Sequence, residues 1–145
     1  MTIDDLRLTI ENRAVFLAQN EGLDVRKGMD ANQFKQRTMA FGLRIIRLVT
    51  SLPNSAVNQV VGRQLLKAGT SIGANYRAAC RARSRADFVG KMKISEEECD
   101  EALYWLEILV KAGALEVGSA AALMKEGNEI LSLLVSSIKT ARSKC

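Results

Sequence analysis

Histidine is absent from the 145 residues, which removes the commonest near-neutral general base, the Ser/His and Cys/His dyads and every histidine-containing metal site. Most familiar hydrolase mechanisms go with it. Proline occurs once and glycine ten times, so collagen-like and linker-rich compositions are excluded and long helices are favoured over turn-rich β structure. Aromatics make up 5%, which leaves the core to Leu, Ile, Val and Ala. The three cysteines, Cys80, Cys99 and Cys145, are odd in number and widely spaced, so they form neither a disulfide framework nor a CxxC metal pair. A reducing compartment is the expectation. No apolar run approaches the roughly 20 residues that span a bilayer, and Asp4 and Asp5 stand where a signal peptide carries basic residues. The expected setting is cytoplasmic, with no membrane partner.

The 48% hydrophobic content at this length predicts one all-α domain with a single core. Thr2 and Asp5 form a capping-box pattern ahead of Leu6, Ile10, Ala14 and Leu17 at helical spacing, predicting a leading helix over Ile3–Glu21. Residues 1–30 read as this extension plus a linker containing Gly28, and residues 31–145 as the bundle domain. From Asn32 the apolar positions Phe34, Phe41, Ile45, Leu48, Val49 and Leu52 share a face until Pro53 ends the helix. Asn54 or Ser55 caps the next, whose face is Val57, Val61, Leu65, Ala68 and Ile72, reaching Ala79. Ser84 with Asp87 starts the third, predicted to be the longest, which carries Phe88, Met92, Cys99, Leu103, Leu106 and Val110 to a Gly113 stop. Ser119 is expected to cap the last, with Leu123, Ile130, Leu134, Ile138 and Ala141 buried. Four amphipathic helices with short connections predict an antiparallel up-and-down four-helix bundle, preceded by the extra N-terminal helix.

Charge is unevenly placed along this chain. Between Val60 and Ser95 the basic residues Arg63, Lys67, Arg77, Arg81, Arg83, Arg85, Lys91 and Lys93 face Asp87 alone, whereas Glu96–Glu107 holds six carboxylates and no basic residue. Arg77, Arg81 and Arg85 recur every four residues, so they share a face if the helix continues and crowd the bundle end if it breaks near Ser84. A phosphate-contacting patch is one reading, since guanidinium forks match phosphate oxygens. A solvated helix end, or pairing with the acidic block of a neighbouring subunit, is the other.

Glu97 and Glu101 lie four apart, as bundle carboxylates that bind metals do, but the familiar di-iron arrangement pairs glutamate with histidine, so no metal site or cofactor is assigned. Cys80 and Cys99 fall at apolar positions and are expected to be small buried hydrophobes; no catalytic residue is assigned. Gly69-Thr70-Ser71-Ile72-Gly73-Ala74-Asn75-Tyr76 places two glycines inside a helix, at a cost of about 1 kcal/mol each. It is expected to be a close packing or assembly seam, with Thr70, Ser71 and Asn75 bonding across it. Tyr104 and Trp105 are expected as core or interface anchors.

The stretches Ser51-Leu52-Pro53, Gly62-Arg63-Gln64-Leu65-Leu66, Gly69 to Ala79 and Glu96-Glu97-Glu98-Cys99-Asp100-Glu101-Ala102-Leu103-Tyr104-Trp105-Leu106-Glu107 closely resemble one bacterial family, the S23-type four-helix bundles encoded by 23S rRNA intervening sequences. The resemblance runs from Phe34 to the end of the fourth bundle helix and leaves the N-terminal extension outside. It implies a small basic bundle related to the accessory variability determinant proteins of diversity-generating retroelements. Those relatives form five-membered rings and associate with nucleic acid and a reverse transcriptase. The resemblance supplies no catalytic residues.

Two functions follow as expectations, with a carboxylate-metal nuclease using Glu97 and Glu101 standing third because its ligand set is incomplete. The first is a non-enzymatic, homo-oligomeric adaptor for RNA or DNA, accessory to a reverse transcriptase, that contacts phosphates through the eight basic residues above. Its subunit interface would draw on Glu97, Asp100, Glu101, Tyr104 and Trp105, with the acidic residues facing basic ones of the next protomer. The second is a protein-assembly module in which subunit contacts consume the basic segment and the N-terminal extension docks a partner or packs on the bundle.

Overall fold

The computed structural model describes residues 30–143; the predicted Ile3–Glu21 helix lies outside the described residues. Four helices follow one another: α1 (Ala31–Ser51), α2 (Ala56–Cys80), α3 (Arg85–Lys111) and α4 (Val117–Ser143). Local chemistry sets their ends. Asp30 and Gln33 cap α1 reciprocally, each side chain bonding the other's backbone N–H at 2.8 Å, which satisfies two donors that a helix start leaves without partners. Ser55 accepts from the Asn58 N–H at 3.0 Å and Ser84 from the Asp87 N–H at 3.1 Å. Gly113, at φ 78, closes α3 in the left-handed conformation that a side chain would strain.

Ser119 is not the cap of α4. The helix begins two residues earlier, at Val117, and the Ala120 N–H bonds the Glu116 carbonyl at 3.2 Å, so Ser119 sits inside the first turn. Helix α4 thereby equals α3 at 27 residues, and α3 is not longer than the rest.

The helices are antiparallel along the chain. Across α1 and α2, a Cβ on Gly69 would lie 2.8 Å from Ile45 Cγ1 and one on Gly73 would lie 3.0 Å from Thr38 Oγ1, so residue numbers fall on one helix as they rise on the other. The two glycines therefore exist to let α1 approach, and the favourable contacts of that approach offset their helix cost. The seam runs within one chain. Thr70, Ser71 and Asn75 do not bond across it: Thr70 Oγ1 donates to the Leu66 carbonyl, Ser71 Oγ to that of Lys67 and Asn75 Nδ2 to that of Ser71. Short polar side chains in a helix interior satisfy themselves on the preceding turn more readily than on a neighbour.

Farther round the bundle, the buried Ser95 hydroxyl donates to the Ile72 carbonyl at 2.8 Å, joining α3 to α2. The Cys99 thiol donates to the Gly127 carbonyl at 3.3 Å, joining α3 to α4. Burial pushes that thiol up to about 12, so it is a poor nucleophile at neutral pH. Leu65, Ile72, Met92, Leu106, Ile130 and Leu134 form the core with Phe34 and Tyr76, whose rings meet edge to face at 4.6 Å. Each such side chain contributes about 1.5–3 kcal/mol of apolar burial. Val57 departs from the predicted face and is 63% exposed in the first turn of α2; on α3, Leu109 is buried and Val110, on the predicted face, is half-buried.

Helix α1 closes onto α4 by charge. Arg37 Nε donates to both carboxylate oxygens of Glu126 at 3.1 and 3.0 Å, and its Nη2 reaches Glu129 as well. The Glu126 bond, with its charge and that of Glu129, holds the guanidinium protonated beyond its ordinary range against the pull of burial.

Candidate nucleic-acid interface

The helix breaks after Cys80, with Arg81 as the C-cap of α2, its N–H bonded to the Ala78 and Ala79 carbonyls. Arg81–Ser84 then turns the chain through the end of the bundle into α3. Of the two arrangements open to the arginine series, the crowded bundle end is therefore the one adopted. Arg77, Arg81, Arg83 and Lys91, with Ala74, Ala78 and Asp87, line one open cleft of about 530 Å³. The three arginines are exposed and Lys91 half-buried.

Why these cations remain available is a matter of what Asp87 does. Its carboxylate accepts the Arg83 backbone N–H at 3.3 Å while its own N–H donates to Ser84 Oγ, so the one anion in the cleft serves the start of α3. A carboxylate there also meets the positive end of the helix dipole. Among the described residues, Arg77, Arg81, Arg83 and Lys91 enter no ion pair. The C-terminus of α2 favours Arg77 and Arg81 electrostatically, whereas Arg83 stands at the positive end of α3.

The remaining basic candidates lie apart. Arg63 and Lys67 stand on α2 about 21 and 15 Å from Arg77 along the helix axis. Lys93 pairs with Glu96 at 3.1 Å. Arg85 opens α3 outside the cleft lining.

The acidic half of α3 is arranged differently. Glu101 accepts the Trp105 indole N–H at 3.1 Å, and Trp105 packs its ring on the core and edge-on to Tyr104 at 5.0 Å. Glu97, Asp100 and Tyr104 are exposed, and their spacing of three and four residues places them on one stripe. Glu98 was not singled out by sequence. One of its oxygens is buried without a hydrogen-bond partner, and burial, reinforced by Glu101 and Glu97 and opposed by Lys67, raises its carboxyl above the ordinary range. Among the six carboxylates, Glu98 and Asp100 both flank the core-facing Cys99 and Asp100 is exposed, so no sequence signal distinguishes Glu98. Among the described residues, no three His, Cys, Asp or Glu side chains are grouped to hold a metal, and no helix is long and apolar enough to cross a membrane.

The family model for the 23S rRNA-intervening sequence protein matches residues 30–136, the whole bundle except the last turns of α4. The chain belongs to this family. A solved relative, a protein of unknown function from the S23 ribosomal protein family of Bacteroides thetaiotaomicron VPI-5482, superimposes with a TM-score of 0.71 at 39% identity. The match covers 77% of this chain and 99% of that one. No curated protein matches the chain. Family membership accordingly carries the bundle, and the part of the 23S rRNA-intervening sequence family fold that bears the cleft is the α2–α3 turn.

Proposed function

We propose that this family member is a non-enzymatic, homo-oligomeric adaptor that binds structured RNA through the cleft of Arg77, Arg81, Arg83 and Lys91. The observation that carries the reading is the gathering of four cations from two helices and their turn, with the single carboxylate of the cleft accepting the Arg83 backbone N–H. Arginine forks bind phosphate oxygens bidentately, and each contact releases a counterion. Such contacts position a nucleic acid without reading its sequence, which suits an adaptor. The absence of histidine and the raised thiol of Cys99 give no support to nucleophilic or acid–base chemistry. The stripe of Glu97, Asp100 and Tyr104 is the subunit face in this reading, with a basic surface of the next copy as its counterpart.

The test is binding of the purified chain to structured RNA and duplex DNA across a salt series, with oligomer mass recorded in parallel. Four phosphate contacts give a slope of log affinity against log salt of about −3 to −4. The variant Arg77, Arg81, Arg83, Lys91→Gln should lose that slope while keeping the oligomer. Absence of binding at low salt would sink the proposal and leave a protein-assembly module.

A further inference from the structure

The outer face of α1 carries an apolar stripe that the reading above does not use. Met39, Leu43 and Ile46, four and three residues apart, are 53%, 45% and 41% exposed. They form one wall of a groove of about 260 Å³ whose other wall is Thr70, Gly73 and Ala74 of α2, with Lys35 and Arg77 at one end. The small residues of the glycine seam leave this groove open, so the apolar stripe has room for a partner but none among the described residues.

The chain itself supplies a matching segment. The family match begins at residue 30, and the solved relative is spanned almost completely by 77% of this chain, so residues 1–29 are additional to the family bundle. Leu6, Ile10, Ala14 and Leu17 repeat at four, four and three residues, the same helical spacing as the stripe. As a helix, Ile3–Glu21 would be about 28 Å long beside an α1 of about 31 Å. The eight residues between Glu21 and the Asp30 cap reach at most about 29 Å, enough to return alongside α1.

Charge favours the same pairing. Apart from Arg37, which Glu126 and Glu129 hold against α4, helix α1 carries Lys35, Arg44 and Arg47 and no carboxylate, whereas the segment carries Asp4, Asp5, Glu11 and Glu21 against Arg7 and Arg13. An antiparallel return brings Glu21 to the end of the groove nearest the start of α1.

We propose that residues 3–21 dock in the α1–α2 groove of their own chain, as an amphipathic helix antiparallel to α1 that covers Met39, Leu43 and Ile46. This is the helix-in-groove mode made intramolecular by a short linker, which raises the effective concentration into the millimolar range.

Residue-resolved amide hydrogen exchange on the full chain tests it. Amides of 3–21 should exchange about tenfold or more slowly than unstructured peptide, and dilution should leave this protection unchanged. Met39→Asp with Leu43→Asp should abolish it while the amides of α3 and α4 stay protected. Leu6→Asp with Ile10→Asp should abolish it too, and that variant leaves every bundle residue in place. Unprotected 3–21 amides in the wild type, or protection that survives in the segment variant, would overturn the proposal. Protection lost on dilution would also overturn it, assigning the groove to a second copy.

Discussion

The two halves of α3 carry opposite charge and use it in opposite ways. At its start, Lys91 joins three arginines whose charges enter no ion pair among the described residues. Farther along, much of the carboxylate charge is already committed: Glu96 to Lys93, Glu107 to Lys111 and Glu101 to the Trp105 indole. The difference shows that a count of charges does not measure a binding surface. A cation held by a neighbouring carboxylate contributes mainly to its own fold, whereas a cluster with its one anion turned toward a backbone N–H retains its field for an external anion. Arg37 provides the contrast within the arginines, since both Glu126 and Glu129 hold it against α4.

The largest expected effect comes from breaking the basic side. Arg77, Arg81, Arg83, Lys91→Gln should weaken RNA binding about 100-fold or more near physiological salt with thermal unfolding little changed; filter binding and circular dichroism on the same preparation check this. Next, Glu97→Lys with Asp100→Lys should reduce the oligomer mass seen by light scattering if the acidic stripe faces a basic surface of the next copy; unchanged mass would count against that role. Arg37→Gln should give the reverse of the cleft variant. It should cost about 1 kcal/mol in urea unfolding, as the loss of a charge-assisted pair at a partly buried site, and leave RNA affinity unchanged.

The smallest effect concerns Glu98. Its carboxyl is raised in the folded state by burial and by Glu101 and Glu97, so the folded chain holds its proton more tightly than the unfolded one. Stability from this group is fully present below the unfolded carboxyl value and is lost as pH rises through the folded one. Glu98→Gln should therefore raise the melting temperature slightly at pH 7. That advantage should vanish as acidification protonates the wild-type carboxyl, which a pair of melting curves against pH will show.

Much of the fold was legible because its signals are local. Ser55, Ser84, Pro53 and Gly113 mark helix ends through bonds and torsions a few residues long, and the core positions of α4 repeat at helical spacing. Ser119 misled because it has the right side chain for a cap, while the Glu116 carbonyl had already begun the helix. Thr70, Ser71 and Asn75 misled because their bonding capacity is visible in sequence and its direction is not. The basic segment was legible as charge, but its eight members did not announce which four share a cleft. That depended on where α2 ends and how α3 returns.

The sequence by itself determined an all-α chain of four amphipathic bundle helices, their approximate ends and the steep change of charge sign along α3, because these follow from residue spacing and from interactions within a turn or two. Tertiary structure alone decided which charges remain available. Arg37 meets carboxylates about ninety residues away, Glu98 loses solvent on one oxygen to its neighbours, and the arginines of the α2–α3 turn converge only when two helices pack antiparallel. Hydration and ion pairing depend on distance in space, and distance in space is set by the packing of the bundle.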